Sequence, residues 1–97
     1  MSYQTIIAKE QRLLILQALQ QDTDYRVNDI MLQAWLEEMG MDTSMDKLHT
    51  EMQWLEEQGM LTIEHIKSMQ IATITQRGLD LANGKSRNQG VARIKPE

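Results

Sequence analysis

The sequence has no cysteine and no phenylalanine, and its 97 residues include one proline, two tryptophans and two tyrosines. Without cysteine the chain has no disulfide, no thiolate metal ligand and no cysteine nucleophile. No apolar run approaches the roughly 20 residues of a membrane-spanning helix. The N-terminus also lacks a basic segment followed by an apolar run. We therefore expect one cytoplasmic domain with a core of Leu, Ile and Met.

Cations are scarce in the first 60 residues. Residues 1–60 hold four Lys and Arg against eleven Asp and Glu, whereas residues 61–97 hold six against three. An acidic body argues against broad, charge-driven binding of nucleic acid by that body, but it leaves the basic C-terminal residues available for this role.

Recognisable catalytic and metal-binding motifs are absent. The chain has two histidines, His49 and His65, and neither has a partner at metal-ligand spacing. We expect both to be surface or structural residues, with His49 on the outer face of its helix. No phosphate-binding glycine loop, dinucleotide-binding motif or nucleophile elbow occurs. The sequence therefore predicts a non-enzyme without a metal or other cofactor.

Apolar periodicity predicts four helices, a short strand and a hairpin. The expected order is a helix over about 4–21, a strand at 25–27, helices over about 29–39 and 43–58, a hairpin over 60–75 and a helix over about 76–83. The predicted N-caps are Asn28, Thr43 and Thr75. The predicted helix ends are at Gly40, Gly59 and Gly84.

The first helix has a second, smaller apolar stripe. Its main face is the expected core face, while Ile6 and Leu13 lie on the opposite side of the helical wheel. A second stripe on a surface helix favours contact with another copy of the chain, which predicts a homodimer. The alternative is that Ile6 belongs to a frayed terminus and Leu13 is simply exposed.

This order of elements predicts a mainly α fold with a small β-hairpin, a winged helix-turn-helix. The third helix has a narrow apolar face that we expect to close the core. The hairpin is expected to cover the open side of that core with Leu61, Ile63, Ile71 and Ile74. Residues 1–84 form the predicted winged-helix domain, and residues 85–97 are predicted to be a basic, flexible C-terminal arm.

The segments LHTEMQWLEEQGMLTIE and ATITQRGLDLANG resemble the winged-helix regulators of the ArsR and MarR kind, over the chain up to about Gly84. In those families the first segment is a helix, a glycine turn and the first wing strand. The second is the returning wing strand and a closing helix. The resemblance implies the fold more strongly than the function. Metal sensors of the ArsR kind usually use cysteines, which this chain lacks.

A closer resemblance rests on SYQTIIAKEQRLLILQAL, WLEEQGMLTIE, TQRGLDLANG and the short basic tail. Together they look like a small protein family of Mu-like prophages, whose members have about this length and are encoded among late genes near the DNA-packaging genes. The resemblance implies a phage or prophage origin and assigns no binding residues.

A DNA-reading helix offers donors to base edges and has cations nearby for phosphates. The third helix has few cations, and Gln53 and Trp54 stand where DNA-binding relatives are often basic. Contacts from the hairpin and arm would be salt-sensitive and mostly sequence-neutral. The candidate DNA-binding residues are Ser44, Lys47, His49, Thr50, Gln53, Lys67, Arg77, Lys85 and Arg87.

Two functions follow as hypotheses. The first is a dimeric DNA-binding transcriptional regulator. The alternative is a protein-interaction module in phage assembly or DNA packaging that retains the fold, with Trp54, Ile6 and Leu13 as partner contacts. An outward tryptophan beside acids is a typical anchor for a protein partner. The alternative is that Trp54 lies against the second helix or the wing and broadens the core. A small-molecule sensor is a third class, for which the sequence offers no ligand constellation.

Overall fold

Four helices and a three-stranded antiparallel sheet make up the computed structural model, which describes residues 2–95. The elements are α1 (Tyr3–Gln21), β1 (Arg26–Asn28), α2 (Asp29–Glu38), α3 (Met45–Glu57), β2 (Leu61–Ile66), β3 (Met69–Ile74) and α4 (Gln76–Ala82). The chain is thus a small α+β domain with the predicted order of elements. Within residues 2–95, no helix combines the length and apolarity needed to cross a membrane.

Side-chain caps fix where the helices begin. Asn28 and Thr75 cap α2 and α4, as predicted. The predicted cap of α3 at Thr43 is wrong by one residue, because Ser44 accepts the hydrogen bond of the Lys47 backbone N–H at 3.1 Å. Thr43 lies outside the helix, and its carbonyl accepts from the Gln33 side chain at 3.0 Å.

The sheet has the strand order β1-β3-β2, so the short strand β1 joins the predicted hairpin as a third strand. Leu61 lies opposite Ile74 and Ile63 opposite Ala72, with Leu61, Ala72 and Ile74 buried. Ile71, predicted to cover the core, instead shares a face with Glu64. Successive side chains of a strand point to opposite faces, so Ala72 and Ile71 cannot both face the core.

Helix α1 occupies the centre of the domain. It contacts α2, α3, α4, β1 and β3. The predicted exposure of Leu13 is wrong, because this residue is 6% exposed and belongs to the core, while Ile6 near the helix start is 46% exposed. A helix packed on so many sides has no free side for an extended second stripe, so Leu13 cannot contact another copy of the chain.

Residues 85–95, hereafter the C-terminal segment, fold back onto the domain. Val91 is 4% exposed and belongs to the same core as α1 and α3. The Ala92 backbone N–H donates to the Lys9 carbonyl of α1 at 3.1 Å. This part of the predicted flexible arm therefore packs against the domain, because Val91 offers an apolar side chain to the core.

Candidate nucleic-acid interface

The outward face of α3 carries two acids and two neutral polar residues. Asp46, Thr50, Gln53 and Glu57 are all exposed and recur at helical spacing. The Thr50 hydroxyl donates to the Asp46 carbonyl one turn earlier, at 3.0 Å. Of these four side chains, Gln53 is therefore the one whose donor group faces solvent, because two are carboxylates and the Thr50 hydroxyl already donates within the helix. The two carboxylates repel phosphate, so this face is a poor surface for general DNA contact.

One flank of α3 is held to α1 by an ion pair. The Glu51 carboxylate is 3% exposed and accepts from Arg12 Nε at 2.7 Å, and it lies 3.3 Å from Lys47 Nζ. Two cations therefore balance the Glu51 charge, so this carboxylate does not repel phosphate at the surface of α3. Lys47, a candidate phosphate contact, is at the same time engaged in balancing this carboxylate.

Trp54 lies against the domain and is only partly exposed. The Arg12 guanidinium stands 4.0 Å from the centroid of its ring, a cation–π contact. The edge of the ring packs on Gly90 of the C-terminal segment, and the ring borders the core. The prediction of an outward aromatic anchor therefore does not fit Trp54, which broadens the core. Its neighbours are α1 and the C-terminal segment.

The other flank of α3 is bound to α2 and the sheet. His49, expected on the outer face, has its Nε2 atom 2.7 Å from Oδ2 of the buried Asp29. The same Asp29 oxygen accepts the Gln70 backbone N–H at 3.2 Å. Glu56 accepts the N–H of Ile63 on the edge strand β2 at 2.9 Å. His49 and Glu56 therefore hold elements together.

Five cations surround three neighbouring cavities beside the C-terminal segment. Arg87 lines all three cavities, and Arg93 lines two of them. Arg77 lines the third cavity, and its side chain also lies near Gly59 at the end of α3. We call this region the basic surface. Its cations are Lys9, Arg77, Arg87, Arg93 and Lys95.

The basic surface concentrates positive charge on an acidic protein. It includes two carboxylates, Glu10 and Asp80, and Lys95 Nζ lies 3.5 Å from Glu10. Five cations against two acids give it a formal charge of +3. The net charge of the whole chain is −4, so its other five Lys and Arg and twelve Asp and Glu together carry a charge of −7. This separation favours an anionic ligand at the basic surface.

The candidate DNA-binding residues predicted from sequence are divided by the fold. Arg77 and Arg87 meet at the basic surface, and exposed Lys85 is close to it along the chain. Lys67 lies at the β2–β3 turn with a φ of 56°. The candidates on α3 fall elsewhere, with Ser44 serving as the cap of the helix. Lys9 was missed, because its place beside the tail depends on the tail folding back.

A separate apolar region lies at the start of α2. Ile30 and Met31 are each 58% exposed. Met31, Trp35, Val27 and Ala18 line a cavity of about 380 Å³ between α1, β1 and α2. Exposed apolar residues that border a cavity are typical of protein-contact surfaces.

The fold and the site define a small α+β domain with one cationic surface on an otherwise acidic body. The chain belongs to the family of protein gp26 of Escherichia phage Mu, described as uncharacterized, with which it shares 35% identity over 91 residues, 94% of each chain. An uncharacterized protein of Haemophilus influenzae is 41% identical over 80 residues, 81% of this chain and 78% of the relative. No protein-family model matches, and no solved structure matches. The predicted relationship to Mu-like phages is confirmed.

Proposed function

We propose that this chain is a winged-helix DNA-binding protein of a Mu-like phage, and that it binds the phosphate backbone with little preference for sequence. The observation that carries the proposal is the basic surface, where five cations lie together on a chain whose remaining residues are strongly acidic. Phosphate contacts supply most of the affinity in sequence-neutral DNA binding.

The element order supports the winged-helix part of the proposal. Helices α2 and α3 are joined by a short turn and followed by the β2–β3 hairpin, as in that fold. In DNA-binding winged helices the helix in the position of α3 reads base edges. Here an acid stands at each end of its outward stripe. On the adjacent flank, His49 and Glu56 form hydrogen bonds within the domain. We therefore assign the main contribution to the basic surface and a minor one to Gln53.

Fluorescence anisotropy with short duplexes of unrelated sequence, titrated over a range of NaCl concentrations, tests the proposal. Engagement of four cations by phosphates predicts a slope of about −3.6 in log K against log salt, since each contact contributes about −0.9. The affinities for unrelated duplexes should agree closely. The doubly charge-reversed variant Arg87→Glu/Arg93→Glu should reduce binding below detection at moderate salt.

The matched control is Arg26→Glu/Lys67→Glu, which alters net charge by the same amount. Arg26 is paired with Glu64 on the sheet, and Lys67 is at the hairpin turn. If this control weakened binding more than the Arg87/Arg93 variant did, the hairpin would be the DNA surface and the assignment would be wrong. Absence of binding by the unmodified protein at low salt would refute DNA binding altogether.

A second candidate function is a protein-interaction module in phage assembly or DNA packaging. The exposed side chains of Ile30 and Met31 favour it, together with the cavity that Met31 lines. In this alternative the partner contact moves from Trp54, which is packed against Arg12 and Gly90, to α2.

Co-purification of the tagged chain with phage proteins from an induced lysogen tests the second candidate. Met31→Lys should abolish the association, because it places a charge in an apolar contact. Glu37→Lys, an exposed change on the same helix, should preserve it. Equal recovery of a phage protein by both variants would exclude the α2 region as the contact.

A further inference from the structure

The C-terminal segment is joined to α1 and α3 at one place. The Gly90 carbonyl accepts from Arg12 Nη1 at 2.9 Å, and Arg12 also stacks on the Trp54 ring. Within the segment, the Gly90 N–H donates to Asn88 Oδ1 at 2.7 Å, which shapes a tight turn. Arg12 therefore ties Gly90, Trp54 and the buried carboxylate of Glu51 into one cluster.

The turn at Gly90 has no room for a side chain. A Cβ atom at this position would overlap the six-membered ring of Trp54, at Cη2 and Cζ2. The backbone of the segment approaches the ring more closely than any other amino acid allows. We call this approach the Trp54–Gly90 contact, and it requires glycine for reasons of space.

The cations of the segment lie on both sides of this contact. Arg87 precedes Gly90 by three residues, and Arg93 and Lys95 follow it by three and five. Just after the contact, Val91 enters the core and the Ala92 N–H binds the Lys9 carbonyl. The position of these three cations relative to Lys9 and Arg77 is thus set by how the segment is seated.

We propose that Trp54 and Gly90 are positioning residues for DNA binding, which seat the C-terminal segment so that its cations and those of the body act as one preformed surface. This inference rests on the proposed function. A segment already ordered before DNA arrives does not lose further conformational freedom on binding, so the same charges bind more tightly than on a loose tail. The contact therefore contributes to affinity without touching DNA.

Gly90→Ala tests the proposal because it changes no charge. Its methyl group would collide with the Trp54 ring and displace the segment. Gln89→Ala is the matched control, since Gln89 is the exposed neighbour in the same turn. Limited trypsin digestion with mass spectrometry reports release of the segment through cleavage after Arg87 and Arg93. Anisotropy on a duplex of fixed sequence reports the affinity.

The expected result is faster cleavage after Arg87 and Arg93 in Gly90→Ala and DNA binding weaker by about tenfold, with both properties unchanged in Gln89→Ala. Faster cleavage with unaltered affinity would overturn the positioning role. Unaltered cleavage would overturn the Trp54–Gly90 contact itself. If the unmodified protein binds no duplex, the proposed function fails, while the digestion still tests the seating of the segment independently.

A second variant protects the test against misfolding of Gly90→Ala. Ala92→Pro removes the N–H that donates to the Lys9 carbonyl and leaves α3 and the Trp54 ring untouched. It should speed trypsin cleavage after Arg93 and weaken DNA binding in the same direction. Faster cleavage after Arg93 together with full affinity would contradict the proposal in this variant also.

Discussion

At the scale of single residues, the burial of Glu51 is a feature that the sequence pattern does not reveal. Its carboxylate is 3% exposed and faces Arg12 across the α1–α3 contact. Sequence distance hides the pairing, since 39 positions separate the two residues. A buried carboxylate is tolerated because the guanidinium and the Lys47 ammonium replace the hydration it loses.

Arg12→Leu should lower the free energy of unfolding by about 3 kcal/mol, because it leaves the Glu51 charge buried with a single exposed partner. Urea denaturation followed by circular dichroism measures the change. Lys47→Ala removes the other partner, whose side chain is 46% exposed, and should cost at most about 1 kcal/mol.

Adding Glu51→Gln to Arg12→Leu should recover part of the lost stability, since the uncompensated charge is then gone. A double variant no more stable than Arg12→Leu alone would show that the loss comes from the contacts of Arg12 with Trp54 and Gly90 and not from the buried charge.

At the scale of elements, the ends of the helices test how local chemistry sets boundaries. Ser44→Ala should destabilise the domain by about 1 kcal/mol, because the Lys47 N–H loses its acceptor at the start of α3. Thr43→Ala should change stability by less than about 0.5 kcal/mol, since its carbonyl and not its hydroxyl accepts from Gln33. Thermal denaturation of both variants measures the two losses of stability. A larger loss in Thr43→Ala than in Ser44→Ala would restore Thr43 as the cap.

Element type and order were predictable because they depend on local signals. Apolar periodicity located all four helices, and the β-branched run around Lys67 located the hairpin. Choosing between Thr43 and Ser44 required knowledge of which backbone N–H each oxygen reaches. On β3, Ile74 was assigned to the core correctly, whereas Ile71 was chosen wrongly because it is more apolar than Ala72. The register with β2, fixed by the whole sheet, decides that Ala72 faces inward.

At the scale of the whole molecule, the candidate site was predictable only in part. The charge difference between the two halves of the sequence indicated the basic tail, and Arg77 and Arg87 were among the expected contacts. Lys9 joins them only because Val91 enters the core and carries the tail back to α1. The homodimer stays a prediction, and its expected contact at Leu13 is removed by burial of that side chain.

The junction at Asp29 has a consequence for motion. One oxygen of this buried carboxylate meets both the His49 ring and the Gln70 backbone N–H. In the sheet, β1 ends at Asn28, opposite Ile71 of β3. The neighbouring N–H of β3, at Gln70, therefore binds the Asp29 carboxylate and not a backbone carbonyl of β1. Hydrogen exchange at Gln70 should accordingly be slow for a residue near a hairpin turn, and it should proceed through openings that also release the start of α2. We therefore expect the hairpin and the start of α2 to open together.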